Sequence, residues 1–374
     1  MTQLPSYVLP SKQMLQSIDT SLQDIAASQA LLAASAAVDY QDVQNLIRRG
    51  LAPKALPIGT QSKLTHAVYG ELIADAIGHN IDLDPLARTP YSTTFQLHAL
   101  LEGTQFDAPE AFFYAETVLA AGTYNFILQT AYGGWAAGTY QFTTTQALPA
   151  GGQFALSGYE TIPMLATKVY AFSSRTATTK TEECVITVGS GGTNLGTLGT
   201  TLNHPQRVSY GYSNWEQSAI RQWLNSSAAA NAWWTPKNNY DRPPSNLSRA
   251  GFFGGLPADI RAVIGETDHK VTLNTITDGG GIATIRDKIF LLSRKEIFGV
   301  GENAQDEGTQ YPYYVGLSDE QRKKYNASGT VNYWWLRSPD SGYANAVRVV
   351  SQSGALGSHG AVNANGGAAA WTIY

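Results

Sequence analysis

The tightest constraint on this chain is the stretch from Trp334 to Tyr374. It opens on the bulky block Tyr333-Trp334-Trp335-Leu336-Arg337-Ser338-Pro339 and runs on through small residues to the terminus. Between Asp340 and Asn365 there is a scatter of Tyr, His, Asn, Asp, Val and Ser, and no Lys, Glu, Met or Trp. Trp334, Trp335, Leu336 and Val347 read as core that holds a loop backbone. Arg337 and Arg348 read as framework hydrogen-bond donors, and Ala369 to Tyr374 as the strand that closes the domain. No catalytic constellation falls inside the run, so it reads as a displayed surface.

Composition supports that texture. Charged residues make up 14% of the chain, against about a quarter in ordinary globular domains. Gly, Ser, Thr, Asn and Gln take their place, with 20 Tyr and 8 Trp. Such a mix suits β-rich, loop-rich structure and polar contact surfaces. A net charge of −4 supplies no general attraction to nucleic acid or an acidic membrane. The single cysteine, Cys184, excludes an internal disulfide and reads as a buried thiol on a strand. The first residues lack a basic segment followed by an apolar run, and no apolar stretch is long enough to span a bilayer. Synthesis in a cytoplasm, without membrane insertion, is the expectation.

Taken in order, the chain divides into four parts. Residues 1–50 are expected to form a helical stem: Leu15, Ile18, Leu22, Ile25, Gln29, Leu32 and Ala36 follow the three-four spacing of a short coiled coil, and the alternative is an amphipathic helix packed on its own domain. A second helix, roughly Tyr40 to Arg49, leads into Gly50. Residues 51–104 mix strand and loop, with a β-like segment from Leu56 and a polar loop carrying Asp82, Asp84 and Arg88. Two carboxylates there supply too few ligands for a cation by themselves. From 105 to 206, short strands with regularly spaced turns predict an inserted antiparallel β-sandwich. The pieces Gly122-Thr123-Tyr124 and Gly138-Thr139-Tyr140 hint at paired strands. Residues 207–374 bring a strand at Arg207 to Tyr212, a short helix carrying Ile220, Trp223 and Leu224 on one face, and core aromatics Trp233, Trp234, Phe252 and Phe253. A buried strand follows at Asp287 to Ser293, then a capped helix from Ser318.

Motifs for enzyme chemistry are missing. There is no Gly-x-Ser-x-Gly elbow, phosphate loop or His-Glu-x-x-His helix. His66, His79, His98, His204, His269 and His359 have no ligand spacing, so neither a metal nor a cofactor is expected.

Several pieces recur together in one family: Asn214-Trp215, the helix Ser218 to Ser226, the strand Asp287 to Ser293, and Trp334-Trp335-Leu336-Arg337-Ser338-Pro339. In this order they resemble the C-type-lectin-like domains that include variable proteins of diversity-generating retroelements, relatives of phage tropism determinants. The segment Gly50 to Thr60 resembles the lead-in of related phage proteins. The resemblance implies an α+β fold: a C-type-lectin-like domain, first part 51–104 and second part 207–374, with a variable region at 340–365. Such a retroelement rewrites adenines in a copied cassette, so an Asn codon can become many residues but not Lys, Glu, Gln, Met or Trp. Asp340, Tyr343, Asn345, Ala346, Val349, Ser351, Gly357, Ser358, His359, Gly360, Val362, Asn363 and Asn365 all fall in the reachable set, and Gln352 does not. These are the implied ligand-binding positions, and they are expected to be exposed, because core substitutions of that range cost several kcal/mol each.

Two departures narrow the implication. The Glu-Pro-Asn or Gln-Pro-Asp and Trp-Asn-Asp motifs of calcium-dependent sugar binding do not occur, and neither does the cysteine pair of formylglycine-generating enzymes. The expectation is therefore a non-enzymatic receptor-binding protein, recognising a protein or glycan on a target-cell surface. It would sit on a virion as part of a phage tail, as a homotrimer through the helical stem, and bind no nucleic acid. A monomer by light scattering would remove the trimer. The alternatives are a bacterial variable adhesin at the cell surface and an enzyme on a lectin-like scaffold.

Overall fold

The computed structural model describes residues 39–111 and 211–374, Ala344 excepted. It also describes Lys12, Gln13, Gln16 and Asp19, and separate segments, mainly strands, between 113 and 210. The described part is mixed α+β with strands dominating.

The first sheet is built from both ends of the chain. Strands β1 (Gln61–His66) and β2 (Gly70–His79) form a hairpin, and β3 (Thr93–Leu97) pairs with β2. The terminal strand Ala370–Ile373 lies against β3, with Trp371 opposite Phe95, and completes its other side with Ile264–Gly265 and Ile289–Phe290. Every residue of β3 and of the terminal strand is buried, as expected of central strands covered on both faces. The closing role expected of 369–374 is met by a strand in the middle of the sheet.

The second sheet holds the tail. In chain order β4 is Leu101–Gln105. β5 to β11, at 113–114, 122–128, 138–144, 153–156, 168–172, 182–185 and 193–197, belong to the insertion. β12 to β17 are Ile264–Gly265, Thr267–Thr272, Ile282–Asp287, Ile289–Phe290, Lys324–Tyr325 and Val331–Asn332. β18 (Trp334–Pro339), β19 (Ala346–Val350), β20 (Leu356–Gly360), β21 (Ala364–Gly367) and β22 (Ala370–Ile373) complete the chain. The tail sheet runs β20-β19-β18-β21-β4, so β20 is its outer edge.

Within the insertion the strands pair among themselves, as β10-β9-β8-β5 and β11-β6-β7. The two Gly-Thr-Tyr pieces do lie on partner strands, with Gly122 opposite Thr144 and Leu128 opposite Gly138. One pairing departs from the antiparallel expectation: β11 runs parallel to β6. The regularly spaced turns expected there include the glycine pairs Gly133-Gly134, Gly151-Gly152 and Gly191-Gly192, which lie outside the described residues.

Three local expectations change. The helix Tyr40–Arg48, capped by Asp39, is not part of a free stem. Its Tyr40, Val43 and Ile47, at helical spacing, enter the core. Gln44 Nε2 and Arg48 Nε donate to the Tyr374 carbonyl at 2.9 and 3.1 Å. The coiled-coil seam residues lie outside the described residues. Leu56 follows a helical turn (Ala52–Ala55) instead of starting a strand, because the positive φ of Gly59 turns the chain before β1. Arg207 and Tyr210 are helical, and the Gly211 amide donates to the Arg207 carbonyl at 2.9 Å, closing a turn where a strand was expected.

Elsewhere pattern and structure agree. The helix Ala219–Leu224 is capped by Ser218, with Ile220, Trp223 and Leu224 fully buried. A further helix, Arg294–Phe298, follows β15 and starts on a capping box of Ser293 and Glu296. The short helix Asp319–Arg322, capped by Ser318, buries nothing.

Candidate functional site

The tail surface rests on β18, which is buried at every residue. Successive side chains of a strand point to opposite faces, so Trp334 and Trp335 need cover on both, and both are fully buried. Trp335 Nε1 donates to the Thr104 carbonyl at 2.8 Å. Arg337 reaches Glu296 through two bonds of 2.6 and 2.5 Å, and donates to the carbonyls of Leu291 and Glu307 at 2.8 and 3.1 Å. It is therefore framework, not surface.

The loop after β18 is held mainly through its backbone. Asn274, fully buried, donates from Nδ2 to the carbonyls of Asp340 and Tyr343 at 3.2 and 2.7 Å. Its Oδ1 accepts the Ile276 amide at 2.8 Å, which fixes its own turn. Thr275 Oγ1 donates to the Ser341 carbonyl at 2.5 Å. Glu302 Oε1 accepts from the Ser341 amide and hydroxyl at 3.2 and 3.0 Å. Arg348 grips Glu302 at 2.6 and 2.8 Å and reaches Asp340 at 2.9 Å, and Arg294 adds a third cation contact at 3.1 Å. Burial opposes charge on Glu302, yet Arg348 and Ser341 hold its carboxyl below the ordinary range.

The hairpin β19–β20 sorts the remaining candidates by face. Directly opposed residues of an antiparallel pair share a face, and the register sets Val347 against His359, Val349 against Gly357, and Arg348 against Ser358. Gly357 and His359 therefore share one face with Val347 and Val349, while Ser358 and Gly360 share the other with Ala346 and Arg348. His359 packs on the Tyr333 ring, centroids 4.2 Å apart, and its Nδ1 lies 3.2 Å from Asn365 Oδ1.

Not all implied positions are exposed. Tyr343 is 56% exposed, and Asn345, Ser351, Gly357, Ser358, His359, Gly360 and Asn363 are half-buried. Asp340, Ala346, Val349, Val362 and Asn365 are buried, Val349 completely, which corrects the expectation of exposure at these five. The reason is geometric: β19 lies between two strands with both faces covered, and Asp340 is committed to Arg348. Ser351 sits in the turn at the far end of the hairpin, its hydroxyl 2.8 Å from that of Ser353. It is roughly 17 Å along the strands from Ala346.

Asn274, Thr275 and Glu302 went unread in the sequence. A signal existed in the polar turn and glycine run Asn274 to Gly281, where Gly279, Gly280 and Gly281 all have positive φ. Glu302 had none.

Other chemistry is placed elsewhere. Among the described residues no group of three or more His, Cys, Asp or Glu is positioned to hold a metal. The loop carboxylates separate: Asp84 pairs with Arg88 through bonds of 2.9 and 3.1 Å, and Asp82 accepts from Tyr311 Oη at 2.7 Å. A groove of about 680 Å³ is lined by Tyr69, Leu72, His98, Leu101, Asn326 and Ser328, among others, and by none of the tail candidates. There, Asp75 orients His98 Nδ1 at 2.9 Å, while the Ser328 hydroxyl donates to Asn326 Oδ1 at 2.8 Å.

Residues 195–369 match a family described as a domain of unknown function (DUF6273), a stretch that contains β18, β19, β20 and β21. No curated protein and no solved structure matches the chain.

Proposed function

We propose that this is a non-enzymatic recognition protein: a C-type-lectin-like domain whose tail surface is rewritten by a diversity-generating retroelement. It is carried on a phage tail, as a homotrimer through its amino-terminal helix, to bind a protein or glycan on a host cell. The observation that carries this reading is how the 340–345 loop is held. Asn274, Thr275 and Glu302, all outside the tail, bind the carbonyls of Asp340, Ser341 and Tyr343 and the Ser341 amide. A backbone held that way keeps its shape when an exposed side chain such as Tyr343 is exchanged, which a diversified surface requires.

A first test is genomic. A reverse-transcriptase gene with a near-copy of the 3′ cassette, differing at adenines, is expected beside the gene. A locus with neither removes the retroelement. A second test is on the protein. A library randomised at Tyr343, Asn345, Ser358, His359 and Asn363 is expected to keep thermal midpoints within about 4 °C of the parent. A library that mostly fails to fold sinks the reading.

A further inference from the structure

The edge strand Leu356–Gly360 carries backbone groups, at Leu356 and Ser358, that nothing among the described residues uses. The Ser351 amide donates to the Ala355 carbonyl at 2.8 Å and the Ala361 amide to the Asn345 carbonyl at 2.9 Å. These two bonds fix the phase of the hairpin ladder. Hydrogen-bonded pairs recur every second residue, so they fall at 345/361, 347/359, 349/357 and 351/355. Leu356 and Ser358 belong to the intervening pairs, and their N–H and C=O groups point away from β19. β20 is last in its sheet, and among the described residues neither backbone has a partner on the outer side. All five residues of β20 are half-exposed.

Protein edges are ordinarily guarded by Lys, Pro, a bulge or a covering segment. β20 has none of the first three: its sequence is Leu-Gly-Ser-His-Gly and its register against β19 is unbroken. The opposite edge, β4, is covered, since Arg249 donates to the Gly103 carbonyl at 3.2 Å and to Thr104 Oγ1 at 3.1 Å. At the far edge of the first sheet, β1 carries Lys63.

The geometry points to β20 as a docking edge for one extended polypeptide segment of a partner protein, which adds a strand beside Leu356 and Ser358. This rests on the recognition reading above and narrows its partner from protein or glycan to protein. Donors and acceptors repeating every second residue, about 6.8 Å apart, match an extended backbone and no glycan of irregular hydroxyl spacing. The bonds are independent of side chains, so they persist when Ser358 or His359 is replaced. Main-chain pairing would supply constant affinity, and neighbouring side chains the specificity.

The probe is a peptide selected from a random twelve-residue library on the immobilised full-length protein. Ser358→Pro removes one outward N–H and no ladder bond, because Pro is tolerated where the amide faces solvent. It is expected to keep the thermal midpoint and to weaken peptide binding more than tenfold, with Ser358→Ala within twofold. N-methylation of alternate peptide amides is expected to repeat the loss, and deuterium exchange at Leu356 and Ser358 to slow on binding. Unchanged binding by Ser358→Pro, or failure to select any peptide, overturns the docking edge. So does protection of both amides in the free protein, or a free-protein mass halved by Ser358→Pro. If Tyr343→Ser and His359→Ser abolish binding while Ser358→Pro does not, surface recognition survives and the docking edge falls. If none of the three matters, both fall.

Discussion

β18 and β20 lie one strand apart in the same sheet and obey opposite rules. In β18 every side chain is buried, and its Arg337 forms a buried pair with Glu296. In β20 every residue is half-exposed and two are glycine, and its outer backbone groups at Leu356 and Ser358 have no partner among the described residues. The strand between them, β19, gives each a hydrogen-bonded neighbour. Sheet membership therefore does not decide what a position tolerates. What decides it is whether side chains or backbone carry the contacts.

That contrast can be broken most directly at Arg337. Replacing it with alanine leaves Glu296 buried and unpaired, so a loss of about 3–5 kcal/mol is expected. Urea unfolding measures it, and a loss below about 1 kcal/mol would erase the difference between the strands. A smaller effect is expected at the support of the loop. Asn274→Ala removes two bonds to loop carbonyls from a buried site, costing about 1–3 kcal/mol, with faster hydrogen exchange concentrated at 340–345. Exchange that rises evenly over the domain would show that Asn274 does not serve this loop in particular.

Glu302 adds a pH dependence. Its carboxyl is lowered in the folded state, so its contribution is fully present above the ordinary Glu value of about 4.3 and fades as pH falls through the lower folded value. The stability gap between the wild type and Glu302→Gln should be open at neutral pH and close below about pH 4. A gap independent of pH removes the role given to its charge. The smallest effect belongs to Tyr343, more than half exposed: Tyr343→Ser should change stability by less than about 0.5 kcal/mol. A loss like that at Asn274 would make Tyr343 framework and shrink the proposed surface.

Much of the framework was legible because large apolar residues leave few choices. Trp334, Trp335 and Leu336 had to be core, and the spacing of Ile220, Trp223 and Leu224 had to be that of an amphipathic helix. The misread stretches have another character. Arg207 to Tyr212 alternates like a strand, but the Gly211–Arg207 bond closes a helical turn. Codon reach and small neighbours place Val349 and Val362 in the variable set, and neither reports what packs above a strand. Glu302 acts on Ser341 and Arg348 from about forty residues away, a separation no local pattern encodes.

The sequence by itself determined the bulky, apolar part of the molecule: which tryptophans anchor the core, and the amphipathic helix that carries Ile220, Trp223 and Leu224. It also determined that the tail lacks local motifs for catalysis. Only the tertiary structure decided which tail positions meet water. Strand alternation leaves two phases, and choosing between them requires the elements on either face. Only the tertiary structure made β20 an edge, since that depends on where the sheet stops. Backbone donors and acceptors are the same at every residue, so the sequence carries no mark of the ones left unpaired.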